Sequence, residues 1–222
     1  MIDNYIFTTF DLSLLSSIAL ILLALLFSSY VKIAVVLNIV RLGFGFTSLP
    51  TLFITIGLAL TCSYFVMYPT LVEVSDVLKE NSSAQVKLSE PEKTVVFDKI
   101  SQIWKEFVTK HIKYNQIETF SKLAIAVDKI EKIDEPDKEN LNSSWRVLAP
   151  AFLVSELKEA FRMGFMLFLP FLIIDLVIGT VLAAISLENL SPYLVALPLK
   201  LLLFIAVDGW SLICKGIISS YM

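Results

Sequence analysis

The chain has 222 residues, 56% of them hydrophobic, with a mean hydropathy of +0.76 and a formal net charge of −3. This composition excludes an ordinary soluble domain. The net negative charge, together with the lack of a basic, aromatic-rich patch, excludes a nucleic-acid-binding protein. Most of the charged residues lie between residues 73 and 146. The pattern therefore predicts three regions: an N-terminal hydrophobic helical hairpin (1–72), a polar helical region (73–146) and a C-terminal hydrophobic helical hairpin (147–222).

The first region contains two apolar runs, residues 12–31 and 52–68. Each is close to the ~20 residues that a helix needs to cross a bilayer. Acidic Asp3 and Asp11 precede the first run, where a secretory signal peptide has basic residues, so we expect this segment to remain in the mature protein. Pro69 is predicted to end the second run.

The connection between these two runs carries Lys32 and Arg41 with no acid nearby, and three turn-forming residues follow: Gly43, Gly45 and Pro50. Gly and Pro in such a cluster are typical of a turn. Short loops rich in Lys and Arg stay on the cytoplasmic side of a membrane. We therefore expect a cytoplasmic turn here and the polar region, residues 73–146, on the opposite side.

The polar region shows two apolar stripes at helical spacing. The first comprises Val96, Ile100, Ile103, Trp104, Phe107, Val108 and Ile112. The second comprises Ile117, Phe120, Leu123, Ala124, Val127 and Ile130. Both predict amphipathic helices that pack on each other and on a neighbour, and the acidic run at 134–139 predicts a solvated loop. His111, the lone histidine, is interpreted as part of the packed face.

The stretch PAFLVSELKEAFRMGF (150–165) carries four charged residues and runs without a break into the apolar residues 166–187. A helix would place Ser155, Glu159, Arg162 and Met166 on one face, with Glu156 and Lys158 beside it. A water-facing helix has no reason to continue into so apolar a run. We therefore expect a helix that packs its charged groups against protein at the edge of a membrane.

The last region holds two more apolar segments, 165–187 and 193–213, which bring the hydrophobic segments to four and contain Asp175, Lys200 and Asp208. Each of these ionisable groups costs on the order of 3 kcal/mol at a lipid-exposed bilayer centre. They must therefore face protein, water or one another. Both an ion pathway and pairing between helices or subunits satisfy this requirement, and we favour pairing because the groups are spread along the hairpin. Pro170 and Pro198 lie inside the segments and predict kinks.

Catalytic and metal-binding patterns are missing from the sequence. It has no Gly-rich phosphate loop, no HExxH motif and no Ser–His–Asp set, and Cys62 and Cys214 lie far apart within apolar runs. We therefore predict that the protein is not an enzyme and that it has no cofactor and no metal site. The expected fold class is all-α, with integral-membrane hairpins around a small polar insert.

Three ordered stretches carry a resemblance to a known family: PAFLVSELKEAFRMGF, then FLPFLIIDLVIGTVL (168–182), then SPYLVALPLKLLLFIAVDGWSL (191–212). The likeness extends weakly into KIAVVLNIVRLGFG (32–45) and MYPT (67–70). The chain resembles the export-gate proteins of type III secretion, which comprise the flagellar FliP proteins and their injectisome counterparts, the SctR proteins.

The resemblance implies a homo-oligomer, usually taken as a pentamer, in the bacterial inner membrane with its polar region on the periplasmic side. Its partners would be two smaller hydrophobic export-apparatus proteins and a large one with a cytoplasmic domain, besides lipid and unfolded secreted polypeptides. In such an assembly, six charged residues would pair across protein interfaces: Glu156, Glu159, Arg162, Asp175, Lys200 and Asp208. The chain would be conduit and gate rather than motor.

Many members of that family carry a run of methionines just before the Ser-Pro that stands here at Ser191 and Pro192, and this run seals the pore. The same place here provides the predicted constriction: Ile185, Leu187, Glu188, Asn189 and Leu190. We expect Leu187 and Leu190 to narrow the channel, because a ring of glutamates opposes dewetting. The alternative function is a small ion- or solute-conducting four-span membrane protein that uses Asp175, Lys200 and Asp208.

Overall fold

A computed structural model describes residues 25–46, 48–82, 90–131, 141–187 and 189–222. All the regular structure in these residues is α-helical, which confirms the predicted all-α class for this part of the chain. The described residues form seven helices: α1 (Tyr30–Phe44), α2 (Leu49–Ser82), α3 (Glu90–His111), α4 (Tyr114–Glu131), α5 (Trp145–Ala184), α6 (Pro192–Ala206) and α7 (Gly209–Ser219).

Helix α5 is the element against which most of the others pack. Its 40 residues begin after Ser144, whose side chain accepts a hydrogen bond from the backbone N–H of Arg146, and at 1.5 Å per residue they span about 60 Å. The helix contacts α1, α3, α4 and α6. Its course through Pro150 and Pro170 confirms the prediction that the charged stretch continues directly into the apolar one.

Helix α1 occupies the place where we predicted a loop, and it lies in the centre of the fold against α2, α5 and α6. Five of its side chains join the largest core cluster: Ile33, Val36, Leu37, Val40 and Phe44. The helix ends at Gly45, whose φ of 80° fits the left-handed conformation that terminates many helices. The predicted turn is therefore confined to the few residues after Phe44, and the prediction that Lys32 is a loop charge is wrong.

Helix α2 runs through Pro69, where we predicted its end, and continues to Ser82. Proline removes one backbone hydrogen bond. Helix α2 packs against α1, α3 and α7, and these contacts hold it in place. The boundary predicted at residue 72 lies inside this helix, and the division into three domains stays a prediction.

Helices α3 and α4 confirm the two predicted amphipathic helices of the polar region. Helix α3 packs on α2 and α5, and α4 packs on α5, so these neighbours cover part of their apolar faces, while Leu123 and Val127 of α4 stay exposed. Phe107 and Val108 of α3 share a core cluster with Phe152 of α5, and Trp104 packs against it. The acidic loop predicted at 134–139 lies outside the described residues.

The C-terminal apolar segment is broken into α6 and α7, whose axes differ by 63°. Helix α6 runs through Pro198, where we predicted a kink, and the break comes at Val207 and Asp208. Asp208 adopts a left-handed conformation (φ 49°, ψ 54°).

Two helices of the described chain, α2 and α5, are long and apolar enough to cross a membrane. The bent pair α6–α7 brings the number to three if it counts as one span. Most of the first predicted segment, 12–31, lies outside the described residues.

Candidate functional site

Four charged side chains from α1 and α5 form a charge cluster whose inner pair, Lys32 and Glu156, is buried; the outer members are Glu159 and Arg162. The Nζ of Lys32 lies 3.3 Å from Oε1 of Glu156 and 3.0 Å from Oε2 of Glu159. Arg162 lies 3.4 Å from the other oxygen of Glu159, toward the surface. Two cations thus balance two carboxylates, although the side chains of Lys32 and Glu156 are only 1% exposed.

Tyr221 completes this cluster from beyond the end of α7. Its hydroxyl group donates a hydrogen bond to Oε2 of Glu156, and its ring centroid lies 3.6 Å from Nζ of Lys32. Burial raises the pKa of Tyr221 well above its ordinary value, so the hydroxyl keeps its proton. The tyrosine therefore holds both members of the buried pair.

His111 lies behind Tyr221, with its ring centroid 5.1 Å from that of the tyrosine. Its Nδ1 lies 2.7 Å from the carbonyl oxygen of Phe107, so this nitrogen donates to the preceding turn of α3. The ring also packs on Phe107 at 4.5 Å. This environment fits the interpretation of His111 as part of a packed face.

A second ion pair joins α5 to α6, with Lys200 buried and the side chain of Asp175 43% exposed. Lys200, which is 2% exposed, donates hydrogen bonds of 2.7 Å to Oδ2 of Asp175 and to the carbonyl oxygen of Gly43. Gly43 lies in the last turn of α1, where carbonyl groups lack helical partners and the helix dipole favours a cation. Asp208 follows Lys200 by eight residues, about 12 Å along a helix, and is exposed at the α6–α7 break.

The predicted constriction lies at the tip of the α5–α6 hairpin. Its side chains at Ile185, Leu187 and Leu190 are 57%, 44% and 44% exposed, and Asn189 is exposed beside them. Glu188 lies outside the described residues. The tip therefore presents apolar groups on its surface.

The tip is anchored to the turn after α1 by Tyr193. The Tyr193 hydroxyl group donates to the carbonyl oxygen of Gly45 at 3.4 Å, and its ring leaves no room for a side chain on that glycine. Together with the bond from Lys200 to Gly43, this contact satisfies two carbonyl groups at the end of α1 from α6. The α1–α2 turn and the hairpin tip thus lie at one end of the molecule.

The structure brings together some predicted site residues and separates others. Glu156, Glu159 and Arg162 meet in one cluster, and Asp175 meets Lys200, whereas Lys158 is exposed on α5. Sequence reasoning missed the roles of Lys32 and Tyr221. One signal for Lys32 was available. It stands among apolar residues at helical spacing within residues 12–46, and a lysine in such surroundings needs a partner.

These features define the class: an all-helical membrane-type protein in which Lys32 and Lys200, two lysines within apolar helices, are paired with carboxylates of the same chain. No group of three metal-binding side chains occurs among the residues that the structure describes. Comparison with known proteins narrows the class. The model of the FliP family matches residues 12–217.

Curated relatives match over most of their length. The flagellar biosynthetic protein FliP of Bacillus subtilis is 35% identical, over 89% of this chain and 84% of its own length. The Yop proteins translocation protein R of Yersinia pestis is 34% identical, over 95% and 93%. The hypersensitivity response secretion protein HrcR of Ralstonia nicotianae is 35% identical, over 89% of each. The chain belongs to the FliP family.

Proposed function

We propose that this protein is a core component of a type III secretion export apparatus and forms the conduit and gate through which unfolded polypeptides cross the inner membrane. The observation that carries the proposal is the α5–α6 hairpin. Lys200 of this hairpin is paired with Asp175 within the protein, and the tip presents apolar side chains at Ile185, Leu187 and Leu190. Membership of the family, whose relatives are named for flagellar biosynthesis and for protein translocation or secretion, supports the same role.

The pairing of Lys200 with Asp175 favours this role over ion conduction. An ion pathway needs groups at one depth that are free to bind and release the ion. Lys200 is instead held by two short hydrogen bonds, and Asp208 lies about 12 Å further along the chain. Such charges stabilise the packing of α1, α5 and α6, which is what a conduit wall requires.

The gate is proposed at Leu187 and Leu190, where copies of the tip would meet on an axis. Apolar side chains close a narrow pore to ions because water leaves the constriction, and they still part for a passing polypeptide. Both leucines are 44% exposed, so their apolar side chains are available for such a seal.

The exposed apolar surface of α5 supports assembly. Eight of its large apolar side chains are at least 47% exposed: Phe161, Phe165, Met166, Leu172, Ile173, Leu176, Val177 and Val181. A surface of this kind needs lipid or protein to cover it. We propose that neighbouring copies in a pentamer, together with two smaller hydrophobic proteins and a large protein with a cytoplasmic domain, cover part of it.

We further propose that residues 73–146 face the periplasm. Arg41 precedes the turn between α1 and α2 with no acid nearby, so that turn is placed on the cytoplasmic side. The polar helices α3 and α4 lie toward the other end, beside Tyr221. In a Cys62→Ala, Cys214→Ala background, Lys122→Cys should react with a membrane-impermeant thiol reagent in intact cells. Labelling only after lysis would reverse the orientation.

Deletion and purification test the function itself. Loss of the gene should abolish secretion of the system's substrates, and the plasmid-borne wild-type gene should restore it. The affinity-tagged protein should purify as a large hetero-complex that contains two smaller hydrophobic proteins. Normal secretion in the deletion strain, or a purified monomer with no partner, would contradict the proposal.

A further inference from the structure

A groove of about 300 Å³ opens between α1, α2 and the bent pair α6–α7. Its walls are almost entirely apolar and include Leu58 of α2, Leu201 and Ile205 of α6, and Trp210 of α7. The volume is at the lower end of the roughly 300–1,000 Å³ typical of small-molecule sites. Ile205 and Trp210 are 76% and 51% exposed, so the groove faces outward from the protein.

One cation, Arg41, lines this otherwise apolar groove. A guanidinium group stays charged at every accessible pH and carries five N–H donors. No ion pair or side-chain hydrogen bond of Arg41 is found with any residue in the described ranges, and its Nε is buried without an acceptor. Buried donors are nearly always satisfied, and leaving one unpaired is costly. The described protein therefore supplies no counter-charge for this arginine.

The apolar walls and the arginine together indicate the chemical class of the ligand. Apolar walls fit a hydrocarbon chain, and an arginine fork fits the two oxygens of a phosphate group. The groove lies between α2, which is long and apolar enough to span a membrane, and the bent pair α6–α7, which is so if it counts as one span. We propose that this groove binds an anionic phospholipid, with the phosphate on Arg41 and part of an acyl chain along Leu58, Leu201 and Trp210. The proposal does not depend on the export role.

Tryptophan quenching tests the proposal on the full chain in a neutral detergent. Phosphatidylglycerol with brominated acyl chains should quench fluorescence saturably, because the chain contacts Trp210. The quenching should be lost in Trp210→Phe. Arg41→Gln should weaken the apparent affinity about tenfold, as expected for one charge-assisted contact. Arg41→Lys, which keeps the charge and loses the fork geometry, should weaken the affinity less than Arg41→Gln does. Lys215→Gln, which removes an exposed charge of α7 outside the groove, should leave it unchanged.

Two further probes separate the parts of the ligand in the wild-type protein. Brominated diacylglycerol, which has the chains and no phosphate, should bind at least tenfold more weakly, and glycerol phosphate, which has no chains, should not displace the lipid at equal concentration. Ile54→Trp fills the groove from an exposed position and should also weaken binding.

Two outcomes would overturn the proposal. One is equal affinity for both brominated lipids, and the other is an equal effect of the Arg41→Gln and Lys215→Gln variants on lipid affinity. Smaller oligomers of Arg41→Gln with unchanged lipid affinity would assign Arg41 to a carboxylate of a neighbouring chain instead.

Discussion

The ammonium nitrogen of Lys32 lies 3.3 Å from a carboxylate oxygen of Glu156, in a place where both side chains are almost completely shielded from solvent. The two residues are 124 positions apart in sequence, so the contact fixes α1 against α5. Removing one member of a buried ion pair leaves the other charge without compensation, which costs about 3–5 kcal/mol. The pair therefore makes the packing of these two helices sensitive to either residue.

We expect Lys32→Met to keep the apolar character of α1 and to lower the melting midpoint of the detergent-solubilised protein by roughly 10 °C. The matched control is Lys122→Met, which removes an exposed pair with Glu118 and should change the midpoint little. Circular dichroism measures both. Equal midpoints for the two variants would show that the cluster does not stabilise the fold.

A second prediction concerns Gly45. Its φ of 80° disfavours any residue with a Cβ, and an added Cβ would lie 2.2 Å from the ring of Tyr193. Gly45→Ala should therefore lower the free energy of unfolding by more than about 1 kcal/mol. Gly57→Ala is the control, because that helical glycine has open space around it and alanine favours the helix by about 0.5–1 kcal/mol. The free energy of unfolding should fall in Gly45→Ala and rise in Gly57→Ala. A fall in both variants would contradict the prediction.

A third prediction concerns the seal. Replacing Leu187 and Leu190 together with glycine should make idle export complexes leaky to small ions while substrates still pass, because the apolar constriction is lost. Conductance across a planar bilayer and secretion in cells measure the two effects. The matched control is Leu123→Gly with Val127→Gly, which changes exposed apolar residues of α4 away from the tip and from the proposed assembly surface of α5. An idle leak equal to the wild type would place the seal elsewhere.

Local periodicity predicted much of the fold. The stripes of α3 and α4, and the continuous course of α5 through its charged first half, follow from the spacing of apolar residues within each segment. Lys200 and Asp175 were predicted to face a partner because an isolated charge is costly in apolar surroundings. The structure shows that partner to be the other member of the pair.

The errors arose where distant contacts outweigh local signals. Lys32 was interpreted as a loop charge because its carboxylate partners stand more than 120 residues away, so that no local pattern shows them. Pro69 was predicted to end α2, but the helix continues through it and packs against α1, α3 and α7, which are distant signals that a local pattern does not show. The break before α7 falls at Asp208 in a left-handed conformation, which an Asp-Gly pair permits but does not require.

The most direct test of the conduit role is site-specific photo-crosslinking to a substrate stalled during export. A photoreactive residue replaces Leu187 at the hairpin tip or, as the control, Lys122 on the exposed face of α4. Our account predicts that the stalled polypeptide crosslinks from position 187 and not from position 122. Crosslinks of equal yield at both positions, or none at position 187 in a complex that secretes normally, would contradict it.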